Sequence, residues 1–190
     1  SVDMRVQHVL HEQLMDAMTR YQAIAAAGVM LDIHTGEVIA LASVPDFNPN
    51  EPATALVKDT FNRITSGIFE PGSIFKTVTM AGALDSGAVA ITDEFDARYG
   101  IRFGRYTIDD FHGKHRILAL PEVYKYSSNI GTIRVMQAMG KDNYRAFLSR
   151  MKFDKRVEFE LPEMRVPTVP DSFSEVGAAT ASFGHGLSVS

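Results

Sequence analysis

The sequence predicts a mixed α/β fold of the α+β kind, with helices packed on a small antiparallel sheet. Residues 3–27 place Val6, Val9, Leu10, Leu14, Ala17, Met18, Tyr21 and Ile24 at helical spacing, the pattern of a helix with one apolar face. Two apolar runs, Val29-Met30-Leu31-Asp32-Ile33 and Glu37-Val38-Ile39-Ala40-Leu41-Ala42, flank His34-Thr35-Gly36 and read as a hairpin. Neither run alternates, so both faces of the hairpin are expected to be covered by helices. Downstream patterns are mostly helical. Two strands alone do not make a stable sheet, so the sheet is expected to be incomplete, with one edge open to pairing.

Composition narrows the class. The 190 residues are 45% hydrophobic and 22% charged, enough for one sizeable core. A net charge of −4 without a Lys/Arg cluster argues against nucleic acid or an anionic membrane as partner. Cysteine is absent, which excludes a disulfide framework and a thiolate metal site. The longest apolar run, residues 23–31, is far short of the ~20 residues a membrane-crossing helix needs, and no signal peptide is evident. Without a repeat or linker to divide it, the chain is expected to be one domain over residues 1–190.

The elements follow in order. Gly28 is expected to end the first helix, on which His8 and His11 lie one turn apart without a third metal ligand nearby. Residues 45–52 form a turn-rich loop and residues 53–61 a short helix. A helix over residues 71–86, ended by Gly87, is expected to bury Phe75, Val78, Met80 and Leu84. Residues 91–117 are irregular, apart from a small hairpin of Ile101-Arg102-Phe103 and Tyr106-Thr107-Ile108 around Gly104. Asp109-Asp110-Phe111-His112-Gly113-Lys114-His115 offers two carboxylates and two imidazoles, a pattern that fits a metal site or a solvated polar loop; the loop is the expectation, and no metal or other cofactor is expected. A short helix over residues 120–126 precedes the apolar run 130–139. A helix at 142–151, an extended connector at 162–170 and a Gly-rich turn at 182–190 complete the chain.

Chemistry concentrates in Glu70-Pro71-Gly72-Ser73-Ile74-Phe75-Lys76-Thr77. Pro71 suits the first helical position, which leaves Ser73 among N–H groups without intrahelical partners. Ser73 can then present a nucleophilic Oγ and an N–H donor at the positive end of the helix dipole. Lys76, three residues on, shares its face, and its amine is the neighbour a serine needs to lose its proton. The spacing alone also fits a plain polar residue in a first turn. It recurs at Ser149-Arg150-Met151-Lys152, late in a helix where the dipole opposes an oxyanion. Ser127-Ser128-Asn129, between two helical patterns, adds a hydroxyl and an amide that can face one cleft or simply form a turn.

Together these stretches resemble the class B penicillin-binding transpeptidases, whose motifs are S-x-x-K, S-x-N and K-[ST]-G. The flanks carry the resemblance further: Val44-Pro45-Asp46-Phe47-Asn48-Pro49-Asn50, Asn62-Arg63, Phe69-Glu70-Pro71-Gly72-Ser73, Lys125-Tyr126-Ser127-Ser128-Asn129-Ile130-Gly131 and Ser182-Phe183-Gly184-His185-Gly186-Leu187-Ser188-Val189. They are most similar to the division-specific, septal type. The resemblance implies the fold shared by penicillin-binding proteins and serine β-lactamases, truncated here to helices on an incomplete antiparallel sheet plus a helical subdomain.

It also implies a peptidoglycan D,D-transpeptidase acting through a serine acyl-enzyme. Ser73 would be the nucleophile, Lys76 the base, Ser127 the proton relay and Asn129 the substrate-binding amide. Stem peptides ending in D-Ala-D-Ala, β-lactams and other membrane proteins of the division complex would be its partners. The expected location is the periplasmic side of a bacterial inner membrane, with the anchor upstream and no membrane contact by this segment. No Lys here is followed by Ser/Thr-Gly, so the third motif would lie downstream of Ser190 and this piece alone is expected to be nearly inactive. A serine β-lactamase or β-lactam sensor on the same scaffold, and a non-enzymatic division module, remain alternatives.

Overall fold

A computed structural model describes residues 2–56, 60–158, 161 and 163–189. The chain divides into two compact units, one of residues 1–68, 159–165 and 190 and the other of residues 69–158 and 166–189.

In the first unit, α1 (Met4–Tyr21) begins where the Asp3 carboxylate accepts the N–H groups of Arg5 and Val6, an N-cap satisfying two otherwise orphaned donors. It ends earlier than residue 27. Gln22 takes a left-handed φ of 52°, and the Ala23 N–H donates back to Met18 O at 3.0 Å, the closure of a Schellman turn. Ile24 is therefore 93% exposed rather than part of the apolar face. Gly28 does not stop the helix; it lies within β1 (Ala26–Leu31), where an added Cβ would meet the Leu10 side chain at 3.0 Å. The glycine lets helix and strand pack closely.

β1 pairs antiparallel with β2 (Val38–Val44). Asp32 shapes their turn by accepting the N–H groups of His34 and Thr35, as Asp does in Asx-type turns. Along β2, Ala40, Ala42 and Val44 are buried. Its outer edge is met at Leu41 by Gln7, whose amide donates to Leu41 O at 2.7 Å and accepts from Leu41 N at 2.9 Å, supplying the two bonds a neighbouring strand would. Among the described residues β1 has no partner besides β2. Val29, Met30 and Leu31 are each nearly half exposed, so the expectation of covered faces on both strands does not hold for β1. A 3-10 turn, Pro52–Leu56, occupies part of the expected helix at 53–61; residues 57–59 lie outside the described residues.

The second unit is mainly helical. A 3-10 turn, Gly72–Phe75, leads into α2 (Lys76–Asp85). The next helices are α3 (Leu120–Lys125), α4 (Asn129–Met139), α5 (Lys141–Arg150) and α6 (Glu175–Ser182). Three-residue strands β3 (Glu94–Asp96) and β6 (Ile117–Ala119) pair with each other. Between them, β4 (Ile101–Phe103) and β5 (Tyr106–Ile108) form the hairpin expected around Gly104.

α4 is the centre. Ile130, Ile133, Val135, Met136 and Met139 are buried around most of its circumference, as befits a helix enclosed by others. On α2 the buried side chains are Lys76, Thr79, Met80 and Ala83, whereas Leu84 is 40% exposed. A polar knot ties α2, α5 and α6 inside the core. The fully buried Tyr144 hydroxyl lies 3.1 Å from Thr79 Oγ1 and donates to Ala181 O at 3.2 Å, while Thr79 Oγ1 donates to Ser182 O at 2.7 Å. Burial pushes the Tyr144 phenol well above its ordinary pKa, so it stays a neutral donor. Satisfied knots of this kind fix helix register because breaking one leaves buried polar groups unpaired.

Candidate active site

The Ser73 turn is built by two glycines in contact. Gly72 has a φ of +59° and Gly184 one of +82°, values that suit a residue without Cβ. The Gly72 N–H donates to Gly184 O at 3.0 Å. Residues 184–189 then run beside residues 69–72: Gly186 N donates to Glu70 Oε1 at 2.7 Å, and Phe69 and Val189 exchange backbone bonds of 2.9 and 3.0 Å. The Gly-rich turn read at 182–190 thus holds the start of the 3-10 turn. Phe75 anchors its other end, buried and edge-on to Phe153 at 5.1 Å.

Ser73 emerges exposed at this start, and among the described residues its Oγ has no hydrogen-bond partner. Lys76 is the opposite, 1% exposed. Its Nζ donates to Ser127 O at 2.6 Å and Ser127 Oγ at 2.8 Å, with no hydrogen bond to Ser73 Oγ. An ammonium needs several acceptors when removed from water, and Ser127 supplies two. Burial lowers the Lys76 pKa from 10.5 to about 8, against an opposing pull from the Asp110 carboxylate. An amine so placed gives up its proton far more readily than one in water.

Ser127 follows α3, which Thr77 joins to α2 through a 2.9 Å bond between Thr77 Oγ1 and the Tyr124 hydroxyl. Its φ of 52° makes it the left-handed residue of a Schellman turn that closes α3, with Ser127 N–H on Tyr124 O and Ser128 N–H on Val123 O, a conformation that a non-glycine residue adopts at a cost. Ser127→Ala is expected to be about 1 kcal/mol less stable than Ser127→Gly. Urea unfolding measures the difference, and equal stabilities would show that residue 127 is not left-handed in solution.

Ser128, buried, caps α4: its Oγ accepts Gly131 N at 2.9 Å and donates to Asp110 Oδ2 at 2.7 Å. The Asn129 amide donates to Asp109 O at 3.3 Å. The structure thus brings Lys76 and Ser127 into direct contact, puts Ser73 in the turn that opens into Lys76, and sets Asn129 two residues beyond Ser127. Ser149, the second match to the spacing, stands in the last turn of α5. His8 and His11 face Glu12 and Asp46 at 3.5 and 3.0 Å.

Asp110 is the residue whose part the sequence did not disclose. It was legible only as one carboxylate of a polar loop, because its partners lie eighteen and twenty positions away. The one available signal was an α4 N-terminus with more N–H groups than Ser128 alone could satisfy.

Residues 26–190 match the penicillin binding protein transpeptidase domain. The chain is 34% identical over 190 residues to the probable peptidoglycan D,D-transpeptidase FtsI of Caulobacter vibrioides, covering all of this chain and 32% of that protein. It is 32% identical over 192 residues to the probable peptidoglycan D,D-transpeptidase PenA of Neisseria flavescens, covering 48% of it. To the peptidoglycan D,D-transpeptidase FtsI of Escherichia coli K12 it is 30% identical over 191 residues, again covering 32%. The chain therefore spans from about a third to about half of the length of these curated relatives. Among solved structures, it superposes on the transpeptidase domain of penicillin-binding protein 3 from Burkholderia pseudomallei with a TM-score of 0.86 and 26% identity, covering all of this chain and 53% of that one. A peptidoglycan glycosyltransferase from Burkholderia ambifaria gives a TM-score of 0.87 at 27% identity, with 56% of that chain covered. Motifs, fold and sequence agree: this chain belongs to the penicillin-binding protein transpeptidase family.

Proposed function

We propose that the chain is the nucleophile-bearing part of a peptidoglycan D,D-transpeptidase that cross-links stem peptides during cell division through a serine acyl-enzyme. The observation that carries this reading is the buried Lys76 amine held on Ser127 beside the exposed Ser73 turn. Ser73 Oγ attacks the carbonyl between two D-alanines and gives its proton to neutral Lys76. Ser127, already bonded to that amine, passes a proton to the departing D-alanine, and Asn129 holds the peptide backbone. The acyl group then passes to an amine of a neighbouring stem peptide.

Developing negative charge on the carbonyl oxygen needs N–H donors. The Gly72 N–H is engaged by Gly184 O, so the Ser73 N–H is the donor that this turn offers. β-Lactams acylate Ser73 because their strained amide mimics the scissile bond. The two units are read as parts of one domain, since the family match runs across both. No helix among the described residues is long and apolar enough to cross a membrane. The proposed setting is the periplasmic face of the inner membrane, at the septum, with an anchor upstream and membrane proteins of the division complex as neighbours.

Labelling with a fluorescent penicillin tests the reading. The full-length protein is expected to form an adduct that survives denaturation, and Ser73→Ala is expected to form none. An adduct of equal yield in the variant would remove Ser73 as the nucleophile.

A further inference from the structure

We propose that Asp110 is a positioning residue of the acyl-transfer site, one carboxylate that holds the Ser127-Ser128-Asn129 turn in place and sets the field at Lys76. The proposal rests on the reading of the site just given and adds to it a residue outside the motifs. Ser127 occupies the left-handed conformation that closes α3, its N–H donating to Tyr124 O and the Ser128 N–H to Val123 O at 3.0 Å each. The far side of the turn is held by Asp110, which is half-buried in the segment between β5 and β6. Oδ2 accepts the Ser128 hydroxyl at 2.7 Å and Oδ1 accepts Ile130 N at 2.9 Å. The preceding residue contributes as well, since Asp109 O accepts the Asn129 amide at 3.3 Å.

The carboxylate therefore takes up one N–H of the α4 N-terminus directly and fixes the hydroxyl that caps another, at the end of the helix where negative charge is favoured. Moving it would release the Ser128 hydroxyl and the Ile130 N–H together, leaving the turn that carries the Ser127 oxygens held from the α3 side alone. Its charge also acts on Lys76, raising the affinity of the amine for its proton against the effect of burial. Of the nearby ionisable groups on α3, Glu122 is tied to Arg116 at 2.6 Å and the Tyr124 hydroxyl to Thr77. Asp110 is the charged group that bears on the amine.

Two substitutions in the full-length protein separate the field from the scaffold. Asp110→Asn keeps an acceptor for Ile130 N–H at nearly the same size and removes the charge, whereas Asp110→Ala removes both. The readouts are penicillin acylation rate against pH and the titration of Lys76 followed by NMR of lysine labelled with 13C at Cε. In Asp110→Asn, both the Lys76 titration and the rising limb of acylation are expected to move to lower pH. In Asp110→Ala, acylation is expected to fall on the order of tenfold to a hundredfold at every pH, the cost of a site displaced by up to an ångström. A residue that merely stabilises the fold would reduce the folded fraction and leave the limb where it was. Lys76 titrating at the wild-type pH in Asp110→Asn would overturn the proposal. Should wild-type protein resist penicillin altogether, the acyl-transfer reading fails, and the Lys76 titration still decides the role of Asp110.

Discussion

Lys76→Met is expected to slow acylation by orders of magnitude while making the protein more stable. The side chain is 1% exposed, and its pKa falls from 10.5 to about 8 because burial penalises the ammonium. A folded-state pKa below the unfolded one means that the native state binds the proton less tightly. Below pH 8 the amine is charged in both states, and folding carries the whole penalty, about 3 kcal/mol for an interval of that size. Between pH 8 and 10.5 the native state sheds its proton first, so wild-type stability should rise across that window. Methionine of similar length removes the charge and gives up two hydrogen bonds to Ser127, each worth about 1 kcal/mol. The net gain is expected at about 1 kcal/mol at pH 7, with no rise between pH 8 and 10.5, measured by urea unfolding across pH. Acylation should drop by ~10²–10⁴, the usual cost of losing a positioned base. A Met variant that acylates normally would remove Lys76 from the chemistry, and one that is strongly destabilised would mean that the amine is held neutral or better solvated than its burial implies.

That trade between stability and reactivity was legible in the sequence only in part. The motif residues could be placed because Pro71 and Gly87 bracket a helical stretch, although its first turn, Gly72–Phe75, is 3-10 and α2 begins only at Lys76. The hairpin at Gly104 and the helix α5 were equally plain from local pattern. What escaped was structure decided by distant partners. Residues 23–27 are alanine-rich and favour a helix on propensity, yet Ala26 and Ala27 pair with Val44 and Ser43 in the sheet. β3 and β6 are three residues each, too short for alternation to register. α6 carries Gly177, Ala178, Ala179, Thr180 and Ala181 at its centre, with all three alanines fully buried, so it shows no strong apolar stripe. The site follows the same division. Ser73 and Lys76 share one turn and announce themselves, whereas the bonds of Lys76 to Ser127 and of Asp110 to Ser128 join segments whose proximity no local period encodes.

Gly184→Ala is expected to damage the Ser73 turn more than any other single methyl group added around it. A Cβ at position 184 would stand 2.1 Å from Gly72 O, 2.7 Å from Gly72 N and 2.8 Å from Gly72 C. All three are backbone atoms that cannot swing aside as a side-chain tip would. The φ of +82° adds strain whatever the space. Relief requires residues 184–189 to withdraw from residues 69–72 by about 1 Å, breaking the Gly72 N–H bond to Gly184 O and loosening the Glu70 and Phe69 contacts beside it. Overpacking and left-handed strain together should cost about 2–4 kcal/mol, and an ångström of displacement at the nucleophile about a hundredfold in acylation of the protein that remains folded. Gly186→Ala is the control. Its φ of +75° carries similar strain, but its Cβ would meet nothing closer than Thr180 Oγ1 at 3.4 Å, so it should lose only about 1 kcal/mol and stay within a few-fold of wild-type acylation. Thermal unfolding and penicillin labelling of the two variants, side by side, decide the matter: equal losses would mean that the contact between the two glycine backbones does not set the position of Ser73.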